Sequence, residues 1–169
     1  MDSPISIIIK SKGKKVYMVP KETSVSEAAN QMFENRIGAI LVGSGDNIEG
    51  IFTERDALFR VLVKGLDSKE TSIAEVMSPM PNTVPSETTI AEAMQIVTER
   101  HIRHLPVVDD GKLAGMISSG DLTGWVAKAQ ESEIRGLKTD VESFAAKNKA
   151  LIALIVGFAV LVMIGVSIN

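Results

Sequence analysis

The chain has 169 residues, room for one compact domain or two small ones. It contains no cysteine, which removes disulfides, thiolate catalysis and thiolate metal sites. Its net charge is −3 with Lys and Arg dispersed, so a broad nucleic-acid surface is not expected.

Met1-Asp2-Ser3-Pro4 lacks the basic start and apolar core of a secretory signal. Ile5–Lys10 is a β-branched run that reads as a short strand, Ser11 to Lys14 as a turn, and Val16–Val19 as a second short strand. The lysines at 10, 12, 14 and 15 suit a solvated hairpin tip or contact with phosphate or lipid headgroups. Ser24 with Glu27 forms a capping box, and Val25, Ala28, Ala29, Met32 and Phe33 follow as a core-facing helical stripe. Gly38 leads into a buried strand, Ala39–Val42. A turn over Gly43 to Asn47 follows, then the strand Ile48–Phe52 and a helix from Glu54 to about Val63. Lys64 to Thr71 reads as a linker, and Ile73–Met77 as a short helix stopped by Pro79 and Pro81. The order then recurs: strand Thr83-Val84, a helix from Thr88 or Thr89 to about Arg100, strands Leu105–Val108 and Leu113–Ile117, and a helix after Ser118.

From Lys128 the chain is helical and charged. Ile134, Leu137, Val141 and Phe144 have heptad spacing, which fits a coiled coil or a solvated stalk helix, and Gly136 weakens both. Ala150 to Val166 is unbroken apolar sequence. Extended to Ile168 it measures about 30 Å as a helix, one bilayer core. The alternative, a buried helix of a soluble protein, would show a polar face. Lys147 and Lys149 precede this segment and no charged side chain follows, so the expectation is a straight helix entering a membrane from the cytoplasm. Ala153 and Gly157 form one small-x-x-x-small pair, a hint of helix contact within the membrane.

Two stretches organise the whole. Gly50-Ile51-Phe52-Thr53-Glu54-Arg55-Asp56 returns as Gly115-Met116-Ile117-Ser118-Ser119-Gly120-Asp121. One constant offset also relates Val19-Pro20 to Val84-Pro85, Glu27-Ala28 to Glu92-Ala93, Ile37 to Ile102 and Val42 to Val107. Constant self-similarity means a duplicated supersecondary unit. A hydroxyl residue with an acid at i+3 after an apolar run is an ordinary helix cap. The same geometry aims a hydroxyl, a carboxylate and free backbone N–H groups at one point, which suits a ribose and a phosphate.

The duplicated unit, the stretch Ile102-Arg103-His104-Leu105-Pro106-Val107-Val108-Asp109 and the two Gly-x-x-Ser/Thr-x-x-Asp stretches together resemble a tandem pair of cystathionine-β-synthase (CBS) domains, a Bateman module. The resemblance covers about residues 5–127. It implies an α+β (α/β-like) fold of two pseudo-symmetric β-α-β-β-α units packed by their sheets, with two clefts. To this the sequence adds a long helix ending in a single transmembrane span. The expected segments are a first CBS domain at 1–65, a linker at 66–76, a second CBS domain at 77–129, a stalk at 130–149 and a membrane helix at 150–168. The family implies an adenine nucleotide as regulatory ligand (AMP, ADP or ATP, or NAD(H) or S-adenosylmethionine), with no required cofactor and no metal. By motif position, Asp56 and Asp121 would hold ribose hydroxyls and Thr53 and Ser118 would lie near the first phosphate. Arg103 and His104 would contact phosphate, or be merely a strand edge. Met18, Ile37, Thr83 and Ile102 would enclose the purine. Gly38-Ala39 stands where Arg103-His104 stands in the second copy, so one occupied site is expected rather than two.

Three functions compete. One is a membrane-anchored sensor that binds an adenosine-containing molecule and modulates a protein partner. Another is a ligand-free adaptor that dimerises through its CBS pair and stalk. The third is an enzyme, which is not expected: His101 and His104, or Asp56 and Asp121, have no nucleophile or third metal ligand nearby in sequence. A homodimer is the expected assembly.

Overall fold

The computed structural model describes residues 2–13, 15–79 and 81–166. They form two units, Met1–Thr123 and Gly124–Asn169. The first unit opens with α1 (Ser6–Lys12) and β1 (Met18–Val19), followed by α2 (Val25–Asn35), β2 (Ala39–Ser44) and β3 (Asn47–Thr53). Next come α3 (Glu54–Asp56), which widens into a π-helical stretch over Ala57–Leu62, then α4 (Ile73–Val76) and β4 (Ser78–Pro79). The second copy contributes α5 (Ile90–Glu99), β5 (His104–Asp109), β6 (Lys112–Ser118) and the first turn of α6 (Ser119–Lys147).

Strand β2 is buried on both faces, which is why its sequence is apolar without alternation. Ile40 and Val42 join Phe52, Val25, Ala28 and Met32 in the core of the first repeat. Ala39 and Leu41 turn the other way and, with Ile51, pack against Met18, Leu113 and Met116. That second cluster is the seam where the two sheets meet. The hairpins of the two repeats share one register: Ala39 pairs with Thr53 and Val42 with Gly50, as His104 does with Ser118 and Val107 with Gly115. Each also carries an irregularity one residue later, at Val42/Gly43 and Val107/Val108. Gly43 has φ 152°, and a Cβ there would lie 2.0 Å from the carbonyl oxygen of Asn47. Gly43→Ala is therefore expected to cost about 1–3 kcal/mol of stability, read as a lower urea midpoint with an unchanged slope.

The strand expected at Ile5–Lys10 is instead helix α1. Its Ile5, Ile8 and Ile9 are buried at i, i+3 and i+4, a helical spacing that outweighs β-branched propensity once a core is there to receive it. That core belongs to the second repeat. Ile5 N–H donates to Thr88 O at 2.8 Å, Ser6 N–H to Ser86 O at 3.0 Å, and Ile90 N–H to Ser3 O at 2.9 Å. The linker does the same for the first repeat: Ile73 N–H to Thr23 O at 2.9 Å, Ala74 N–H to Lys21 O at 3.2 Å, and Val25 N–H to Thr71 O at 3.0 Å. Each repeat is thus completed by the segment that precedes the other one in sequence.

Four smaller differences follow from packing. The strand expected at Val16–Val19 shortens to Met18–Val19, and Lys14 of the expected turn lies outside the described residues. Thr83-Val84 makes only a single parallel bridge, Val84 to Val107. In α2 the buried face is Val25, Ala28 and Met32, whereas Ala29 is exposed and Phe33 is 83% exposed. The helix expected over Glu54 to Val63 keeps one α-turn before Val63 N–H bonds Leu58 O, an i→i−5 closure.

The second unit comprises the rest of α6 and α7 (Lys149–Val166). Ile134, Leu137, Val141 and Phe144 are exposed along α6. The expected straight run from stalk into tail is corrected. The helix breaks at Asn148, whose Nδ2 and backbone N–H both donate to Phe144 O, at 2.8 and 3.0 Å. Among the described residues no single helix is long and apolar enough to cross a membrane, and α6 with α7 passes that test only as a pair bent by 79°. The end of the expected span, 167–168, lies outside the described residues.

Candidate functional site

Two clefts flank the seam, each drawing on both repeats. The larger, about 420 Å³, is reached by Thr53, Glu54, Arg55, Asp56 and Arg60 from the first repeat. Ile102, Arg103 and His104 enter from the second, and Ser78 and Pro79 from the linker side. Thr53 caps α3: its N–H and Oγ1 donate to Asp56 Oδ2 at 3.0 and 2.7 Å, and Asp56 N–H donates to Thr53 Oγ1 at 3.3 Å. The remaining oxygen, Oδ1, faces Arg60 Nε at 3.2 Å. Arg60 also donates from Nη1 to Val76 O and Met77 O at 3.0 and 2.6 Å, which ties the helix to the linker. Arg55 Nη1 donates to His101 O at 3.3 Å and closes the wall between the repeats. Arg100 is held by Asn82 at the rim. Four arginines thus surround two carboxylates, Glu54 and Asp56, an arrangement that attracts an anion.

The smaller cleft, about 250 Å³, is lined by Lys12, Lys15, Tyr17, Arg36, Ile37 and Ser118 among others. Ser118 caps α6 as Thr53 caps α3: its N–H and Oγ donate to Asp121 Oδ2 at 2.8 and 2.7 Å. The cation on this carboxylate comes from far away in sequence, because Lys12 Nζ donates to the same Oδ2 at 2.5 Å. Burial alone would raise the Asp121 pKa. The Lys12 ammonium and the Ser118 donors outweigh it and hold the carboxyl below its ordinary value.

Of the residues expected from sequence, Thr53, Asp56, Ile102, Arg103 and His104 come together in the larger cleft. Ile37 and Ser118 line the smaller one, with Asp121 joined to it through Ser118 and Lys12. Met18 is placed in the seam and Thr83 on the exposed surface, so neither lines a cleft. Arg36 escaped the sequence reading. It ends α2 in the left-handed conformation, φ 53°, as His101 at φ 52° follows α5, and each lines a cleft. The constant offset that pairs Ile37 with Ile102 also pairs these two residues, a signal present in the sequence.

Gly38 and His104 line both cavities. Burial pushes the His104 pKa down from 6.5. Glu54 and Asp121 oppose this, while Lys12 and Arg103 reinforce it. The folded protein therefore favours neutral His104, and the unfolded chain takes up the proton first on acidification. Stability should fall as the pH drops below about 6.5, and urea midpoints followed between about pH 7 and 5 should lose part of that slope in His104→Asn.

The family profile of the CBS domain matches residues 12–63 and again 73–128. The chain is 33% identical over 147 residues to the mitochondrial CBS domain-containing protein CBSX3 of Arabidopsis thaliana, covering 82% of this chain and 71% of that one. Of two longer Arabidopsis relatives that it also matches, it spans 22% and 24%. Among solved structures it resembles a protein with CBS domains from Burkholderia ambifaria MC40-6, at 40% identity and TM-score 0.71, covering 73% of this chain and 93% of that one. A CBS domain protein from Pyrobaculum aerophilum, solved in complex with AMP, shares the fold at 24% identity and TM-score 0.62, covering 70% and 88%. The profile takes in both repeats and the pairing of their sheets accounts for both clefts: the chain belongs to the CBS-domain family, as a tandem pair.

Proposed function

We propose that the larger cleft binds an adenine nucleotide and that the pair acts as a regulatory module rather than an enzyme. One observation carries this reading. The Thr53–Asp56 cap of the first repeat and Ile102-Arg103-His104 of the second converge on one cavity of about 420 Å³. That volume lies within the range of small-molecule sites. The AMP complex of the Pyrobaculum aerophilum protein supports the same class of ligand. Asp56 would orient the ribose hydroxyls and Arg103 would offer its planar donor fork to phosphate. Binding would bias the conformation seen by a protein partner, and the assembly would be a homodimer.

Calorimetry on the full chain with AMP, ADP, ATP, NADH and S-adenosylmethionine tests the reading. Binding of at least one is expected, weakened about tenfold by Arg103→Ala for phosphate-bearing ligands. No binding at millimolar concentration would overturn it. One observation favours the second reading, a ligand-free adaptor: both oxygens of Asp56 already have protein partners. Partner capture unchanged in Arg103→Ala would support that alternative.

We propose in addition that the tail contacts lipid, with the CBS pair on the cytoplasmic side. Leu151, Leu154, Ile155, Val156 and Phe158 are exposed along α7, which suits an apolar surrounding, and Lys147 and Lys149 suit the headgroup level. Recovery of the full chain with liposomes, lost when the chain is ended at residue 148, tests it.

A further inference from the structure

The two caps differ in the cation that answers them. Arg60 sits one turn along from Asp56 and is fixed at two further points, since it also holds two linker carbonyls. Removing it from Asp56 would strand those carbonyls. Lys12 has Asp121 as its one described partner, is 36% exposed, and stands in the last turn of α1 just before Gly13 with φ 87°. A lysine is a point charge on a flexible four-carbon stem, free to re-aim within its reach. Lys15 and Arg36 line the same cleft, so three cations gather beside the Ser118 cap, with Lys15 Nζ over the Tyr17 ring at 4.7 Å.

We propose that Lys12 is the specificity device of the smaller cleft: a resident counter-ion on Asp121 that a phosphate group draws away and an uncharged nucleoside does not. This rests on the reading of Asp121 as a ribose-binding carboxylate. A neutral nucleoside meets a carboxylate whose Oδ2 is already shared by the ammonium and the Ser118 donors, and it returns nothing to the lysine. A phosphorylated ligand offers Lys12, Lys15 and Arg36 a shared anion, and the carboxylate is released to the ribose in the same step. The smaller cleft is therefore conditional, opened by phosphate charge, while the larger one, with Arg60 fixed in place, makes no such exchange.

The test is NMR on the full chain, following the Lys12 side chain and the Asp121 carboxyl, first with inorganic tripolyphosphate as the probe. Both groups should shift, and Lys12→Gln should weaken the probe about fivefold at this cleft, with Lys12→Arg restoring it. AMP and adenosine are then compared at the Asp121 signal. The preference for AMP over adenosine should fall about fivefold in Lys12→Gln. An unshifted Lys12 at saturating tripolyphosphate, or a preference that Lys12→Gln leaves intact, overturns the proposal. If tripolyphosphate moves Lys12 but no adenine compound binds either cleft, the nucleotide reading falls and the phosphate-gated lysine stands.

Discussion

Removing residues 2–11 unfolds the second CBS repeat and leaves the first one folded. The deletion takes away Ile5, Ile8 and Ile9, which are 0%, 4% and 4% exposed, together with the backbone bonds to Ser86, Thr88 and Ile90. A single buried Ile→Ala change costs about 2–5 kcal/mol, and a domain has only about 5–15 kcal/mol in all. Three such losses exceed what one small repeat can absorb. Hydrogen exchange should show the amides of α5, β5 and β6 losing protection while those of α2, β2 and β3 keep most of theirs. The milder Ile5→Ala should lower stability by about 2–5 kcal/mol without changing the fold. Loss of protection in the first repeat instead would mean that α1 completes the sequence-adjacent repeat, contrary to the exchange described above.

The second large effect separates the two motif aspartates. Asp56→Ala is expected to cost about 2 kcal/mol, and Asp121→Ala about 1 kcal/mol. The Asp56 side chain is 9% exposed and caps α3, so its loss leaves the Thr53 N–H and the helix start without an acceptor in a buried place, while the half-exposed Arg60 keeps its two linker carbonyls. The Asp121 side chain is 24% exposed and its cation, Lys12, can turn to solvent. Urea unfolding of the two variants checks the difference, and equal costs would sink it. A consequence follows for ligand tests at the larger cleft. Asp56→Asn keeps an acceptor for Thr53 and isolates the ribose role, whereas Asp56→Ala mixes binding with stability.

Much of the fold could be read in one dimension because the physics behind it is local. The capping box Ser24–Glu27 needs only residues three apart and is present as the sequence implies, and Thr89, one of the two helix starts the sequence left open, forms the same box with Glu92. The doubled motif predicted two caps of one geometry, and Thr53–Asp56 and Ser118–Asp121 agree to within a few tenths of an ångström. The apolar run Ala39–Val42 announced a strand covered on both sides.

What the chain order concealed is everything set by partners distant in sequence. Ile5–Lys10 has the composition of a strand and the spacing of a helix, and the choice fell to the second repeat's core, which rewards burial at i, i+3 and i+4. Phe33 continues the stripe of α2 in sequence yet lies outside, because the face that the sheet can cover ends at Met32. Of the cations of the smaller cleft, Lys12 at the end of α1 meets Asp121 when α1 docks on the second repeat, and Arg36 at the end of α2 joins the same cleft as Ser118 only when the sheets pair. Local rules thus determined the caps, the strands and the duplication, since these depend on neighbours along the chain. Tertiary packing alone decided which segment completes which repeat and which charge answers each carboxylate, since those depend on surfaces that exist only after the two halves come together.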